Sequence, residues 1–82
     1  MPIITKFYGI VIKLFFRDHS PPHIHAIYGE YNALLDIQSL EFLEGDLPNR
    51  AGKLVIECAE IYQKELLEMW NSQNFQKLPP LK

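Results

Sequence analysis

All three histidines of this chain fall within seven residues, as His19, His23 and His25, in the segment Arg17-Asp18-His19-Ser20-Pro21-Pro22-His23-Ile24-His25. Imidazole is the side chain that most readily exchanges protons near neutral pH, and each ring brings two nitrogens that need partners or water. Histidines beside a guanidinium are equipment for acid–base work on an anion: a base, an acid, and a cation for the developing charge. Metal-independent cleavage of RNA needs that set. In such a ribonuclease His23, His25, Arg17 and Asp36 are the candidate catalytic residues, with Lys13 helping Arg17 to hold phosphate. Phe15 or Tyr8 is available to stack a base, although Tyr8 fits the core better.

Two other readings compete with it. His23-x-His25 places two imidazoles on one face of a strand, and Asp36 is a third ligand for a weak metal site, with His19 or Asp18 nearby. Arg17 on the same face would repel a divalent cation, so no metal is assigned and no cofactor is implied. Alternatively the histidines are structural, polar residues on a solvated sheet face held by Asp18 and Asp36. Whether the chain is an enzyme stays open between these.

The elements that position these residues follow from periodicity. From Tyr8 to Phe16 the even positions are all apolar, the period of a strand with one buried face. Two prolines make Asp18 to Pro22 a loop. His23–Tyr28 and Tyr31–Ile37 then form a hairpin across Gly29-Glu30, and glycine first in a two-residue loop fits a type II′ turn. If Tyr28 pairs with Tyr31, then Ala26 faces Ala33 and Ile24 faces Leu35, all on the core side. On the other side Ile27 pairs with Asn32, His25 with Leu34 and His23 with Asp36, close enough for Asp36 to orient His23. The first strand, folded antiparallel, places Arg17 beside His23 and Phe15 beside His25. The expected outer face is Lys13, Phe15, Arg17, His23, His25, Asn32 and Asp36, away from the helix; a one-residue slip would put His23 in the core.

Leu40 to Leu43 reads as a short fourth strand and Glu44-Gly45-Asp46 as a turn. A helix begins near Leu47 or Pro48, with Asp46 as its cap. Ala51, Val55, Cys58, Tyr62, Leu66 and Met69 recur at spacings of three and four, flanked by Leu54, Ile61 and Trp70; Lys53, Glu57, Glu60, Lys64 and Glu68 line the opposite side. The expected fold is therefore α+β: a three- to four-stranded antiparallel sheet with one C-terminal amphipathic helix packed on one face. Residues 1–75 form a single domain, and 76–82 an extended, proline-rich tail lying against another surface, a second copy or a partner.

Composition narrows the function classes. With 82 residues, about half of them apolar, the core is thin and a partner would help it. A net charge of −2 disfavours a general nucleic-acid footprint. The lone Cys58 cannot form an internal disulfide, which points to the cytoplasm, and on the apolar stripe it reads as a small buried hydrophobe. The apolar run from Phe7 to Phe16 is too short to span a bilayer and carries no cleavage signature, so neither membrane nor export is expected. Glycine-rich phosphate loops and Cys-x-x-Cys pairs are absent.

One resemblance covers nearly the whole chain. Phe7-Tyr8-Gly9-Ile10-Val11-Ile12, Asp18-His19, Pro21-Pro22-His23-Ile24-His25-Ala26, Tyr28-Gly29, Leu43-Glu44-Gly45, Leu47-Pro48 and the Lys77-to-Leu81 tail are similar to a bacterial family of domains of unknown function (four-one-six-zero). The resemblance implies no activity and transfers no catalytic residue. It implies a small gene set beside another short reading frame, as in toxin–antitoxin-type pairs. The expected role is a protein-interaction component of such a pair, on its toxin side, bound to a cognate small protein, to a second copy, or, for the ribonuclease alternative, to RNA.

Overall fold

A computed structural model of the chain describes residues 3–15, 19 and 21–79. Five strands, β1 (Ile3–Phe7), β2 (Ile10–Lys13), β3 (His23–Tyr28), β4 (Tyr31–Asp36) and β5 (Phe42–Gly45), precede two helices, α1 (Asn49–Ile61) and α2 (Gln63–Ser72). The strands form one antiparallel meander in the order β1-β2-β3-β4-β5. The α+β class and the antiparallel sheet are as the sequence implies. The counts differ: the described residues form five strands rather than three or four, and two helices rather than one.

The additional strand, β1, lies just before what reads as a single strand from Tyr8. Tyr8 and Gly9 have φ of 49° and 79°. Two consecutive left-handed residues make a type I′ turn, whose twist matches that of the flanking strands. Hence β1 folds back on β2, and the alternation survives only from Ile10 through Ile12 to Leu14, all buried. Tyr8, expected in the core, is 59% exposed. At the second hairpin Gly29 has φ of 58° while Glu30 is not left-handed, as a type II′ turn requires. The register across it runs His23↔Asp36, Ile24↔Leu35, His25↔Leu34, Ala26↔Ala33, Ile27↔Asn32 and Tyr28↔Tyr31, every pair as deduced. Ile24, Ala26, Ala33 and Leu35 are core, but Tyr28 and Tyr31 at the turn end of the hairpin are exposed.

β5 lies two residues later than the apolar run suggests, and Glu44-Gly45 is strand, not turn. A bulge between Leu34 and Leu35 lets Leu34 pair with Glu44 and Leu35 with Phe42. Gly45, at φ 86°, faces Ala33 so closely that an added Cβ would lie 2.6 Å from the Ala33 Cα. Only glycine allows this approach.

Pro48, not Asp46, occupies the N-cap of α1, without a side-chain cap, and the backbone N–H of Asp46 donates to Asn32 O at 3.1 Å. The helical run breaks at Tyr62, whose φ of −108° and ψ of 21° leave the helix basin. Gln63 Nε2 donates to the carbonyls of Ile37 (2.8 Å) and Gln38 (3.1 Å) in the turn after β4, which ties the start of α2 to the sheet. Ala51, Val55, Cys58, Leu66 and Met69 face the core as their spacing predicts; Ile61, just before the break, is exposed.

The described part of the tail docks on this chain's own sheet. Leu78 N–H donates to Ile4 O at 2.8 Å on the free side of β1, and Phe75 and Leu78 pack on the core. An edge strand with unpaired amides is the nearest acceptor for an extended segment. Residues 80–82 of the expected tail lie outside the described residues.

Candidate functional site

The three imidazoles do come together. β3 carries His23 and His25 on alternate positions of one face, with ring centroids 5.2 Å apart, and His19 lies 5.9 Å from His23. Phe15 meets His25 edge-on at 4.2 Å, although the residue opposite His25 in the ladder is Lys13. The first strand is thus set two residues from the deduced register, and the Phe15–His25 contact is diagonal. Arg17 and Asp18 lie outside the described residues.

His23 departs from the expected solvent face. It is 2% exposed, and the Trp70 indole of α2 lies 5.1 Å from its ring. The physical cause is the second helix: after the break at Tyr62, α2 carries Trp70 to the start of β3, a contact that one uninterrupted helix on the other face would not make. Nδ1 of His23 sits 2.7 Å from Pro21 O. A carbonyl only accepts, so Nδ1 carries a proton, and a neutral ring keeps Nε2 as acceptor. Asp36 is the ladder partner of His23 as deduced, but its task is different. Its Oδ1 accepts from the N–H groups of Gln38 (2.8 Å) and Ser39 (3.1 Å), an Asx-type turn that closes the β4–β5 connection. Among the described residues no hydrogen bond joins it to His23.

His25 is the accessible histidine of β3. It is half-buried and lines an open depression of ≈ 640 Å³ with Asn32, Leu34 and Glu44. Glu44 escaped the sequence reading because β5 was placed too early; the acidic residue following two apolar ones was the available signal. Among the described residues no three of His, Cys, Asp and Glu converge so as to hold a metal ion. Cys58 is buried, and burial pushes its thiol up to about 11, which makes it a poor nucleophile.

A second concavity, ≈ 440 Å³, opens at the other end of the sheet. Tyr8 and Tyr28 form one wall, Pro48, Arg50, Ala51 and Leu54 at the start of α1 the other, and Ile10 the floor. The sequence reading missed it, because it treated both tyrosines as core.

The model of one family, described as Domain of unknown function (DUF4160), matches residues 9–71. The chain belongs to that family. The match takes in the histidine–proline segment, β2 to β5 and nearly all of both helices, but neither β1 nor the tail. No curated protein and no solved structure matches the chain. In this DUF4160 member no helix among the described residues is long and apolar enough to cross a membrane.

Proposed function

We propose that the chain is a protein-interaction module, one half of a toxin–antitoxin-like two-gene pair, whose partner is the cognate small protein. The observation that carries this reading is Tyr8. It holds a left-handed conformation in a type I′ turn, where asparagine or glycine is the favourable choice, yet it presents an aromatic ring that is 59% exposed. A residue that costs stability and buries little is placed for contact, and with Tyr28 and Arg50 it lines a cleft of the composition that interface centres favour. Exposed Tyr31, Phe42 and Leu43 extend the apolar surface of this small domain. A single buried cysteine fits a reducing cytoplasm.

The test is co-expression with the product of the adjacent short reading frame, followed by light scattering and titration. A one-to-one complex is expected. Tyr8→Asn should stabilise the free chain by about 0.5–1 kcal/mol while weakening the complex by roughly tenfold. A chain that never leaves the monomer in the presence of that product overturns the reading.

A second reading, a metal-independent ribonuclease, has one observation in its favour, the run of three imidazole rings spaced 5.9 and 5.2 Å. It now rests on His25, because His23 is buried beneath Trp70.

A further inference from the structure

The two edges of the sheet differ. β1 is covered on its free side by the tail, through the bond from Leu78 N–H to Ile4 O. β5 pairs only with β4 among the described strands, and all of Phe42–Gly45 is exposed. An uncovered edge presents N–H and C=O groups to any further strand.

Concavities flank that edge on both faces. On the helix side, a depression of ≈ 300 Å³ is lined by Phe42, Leu47, Gly52, Lys53 and Ile56, with Asp46 at its end. The Phe42 ring packs over α1 at Gly52, where an added Cβ would stand 3.5 Å from it, an ordinary van der Waals contact. On the outer side lies the depression shared by His25, Leu34 and Glu44. The ladder assigns the faces: Phe42 opposite Leu35 looks toward the helices, and Glu44 opposite Leu34 looks outward.

Charge decides the occupant. Glu41, Glu44 and Asp46 punctuate the edge, and no Lys or Arg occurs from Ser39 to Leu47. A second copy pairing antiparallel on β5 would set carboxylates against carboxylates, and like charges on paired strands are destabilising. A basic strand meets the opposite field. We propose that β5 accepts an extended strand from a partner protein, its apolar side chains lying over Phe42 and Ile56 and its alternate, basic side chains facing Glu44. Main-chain bonds supply the attachment, and the two-sided alternation supplies the selection. This rests on the interaction-module reading but uses a surface distinct from the Tyr8 cleft.

The experiment titrates the full chain with two capped peptides, one alternating valine with lysine and one alternating valine with glutamate, and follows backbone amides by NMR. The lysine peptide should shift the amides of Phe42 to Gly45 and of Ile56, and slow hydrogen exchange in β5. Glu44→Lys should weaken it roughly fivefold at low salt, the size of one exposed charge pair, and strengthen the glutamate peptide instead. Equal binding of both peptides, shifts confined to Tyr8 and Tyr28, or no shift at millimolar peptide overturns the proposal. So does a dimer of the free chain that Glu44→Lys disperses. If the cognate complex forms and depends on Tyr8 while the peptides fail at β5, the strand proposal falls and the interaction reading stands.

Discussion

Gly45→Ala and Gly29→Ala make a matched pair from which the cost of one backbone approach can be isolated. Both glycines are left-handed, at φ 86° and 58°, so alanine meets a conformational cost of about 1–2 kcal/mol at either site. Both substitutions also reduce the freedom of the unfolded chain alike, and that effect cancels in the comparison. The surroundings differ. At Gly29 an added Cβ has nothing within 4 Å; at Gly45 it would meet the Asn32 carbonyl and lie 2.6 Å from the Ala33 Cα. Both obstacles are backbone, so no side chain can swing aside. β5 must retreat from β4, which strains the pairing of Ala33 with Gly45 and the 3.1 Å bond from Asp46 N–H to Asn32 O. One lost hydrogen bond costs about 1 kcal/mol and overpacking about 1–3 kcal/mol. Gly45→Ala should therefore fall about 2–4 kcal/mol below Gly29→Ala. With a urea slope of about 1 kcal/mol per molar for a domain of this size, its midpoint should lie about 2–4 M lower. Urea unfolding followed by Trp70 fluorescence measures both. Midpoints within 0.5 M of one another (about 0.5 kcal/mol at that slope) would refute the close approach of β5 to β4 and, with it, the registry that places Glu44 on the outer face.

Further outcomes follow from individual side chains. If the chain cleaves RNA without metal, His25→Ala should abolish cleavage without unfolding the domain and the wild-type profile should be bell-shaped in pH; activity that survives the substitution or needs magnesium excludes the mechanism. A chain ending at Asn74 loses the core contacts of Phe75 and Leu78 and the bond to Ile4, and should be about 2–4 kcal/mol less stable by urea unfolding; unchanged stability would make the tail a mere terminus. The Cys58 thiol, raised by burial from 9.0 to about 11, favours the folded state only while it is neutral. That stability is present below pH 9, declines as pH rises toward 11, and amounts to about 2–3 kcal/mol. Cys58→Ala should flatten this part of the stability–pH curve, and an unaltered slope refutes the assignment.

Local chemistry was legible wherever neighbours in sequence decide it. A glycine first in a two-residue turn sets the hairpin type, the turn sets the register, and period two assigns faces, so His23↔Asp36 and all pairs between them and Tyr28↔Tyr31 followed from the residues alone. The apolar stripe of Ala51, Val55, Cys58, Leu66 and Met69 followed from helical spacing in the same way. What failed was everything that depends on where an element stops. Tyr8-Gly9 continues the alternation of a strand, and nothing local reveals that Tyr8 turns left-handed once β1 is available to pair with β2. Tyr62 sits correctly on the stripe, and the helix breaks there while Gln63 reaches carbonyls some 25 residues upstream in the chain. That break has the largest consequence for the site: it delivers Trp70 onto His23 and takes from the surface a ring that alternation alone assigns to solvent. Periodicity specifies which face of an element a side chain occupies, because that depends on covalent geometry. Whether the face is wet or covered depends on which distant element packs there, and only the tertiary structure decides that.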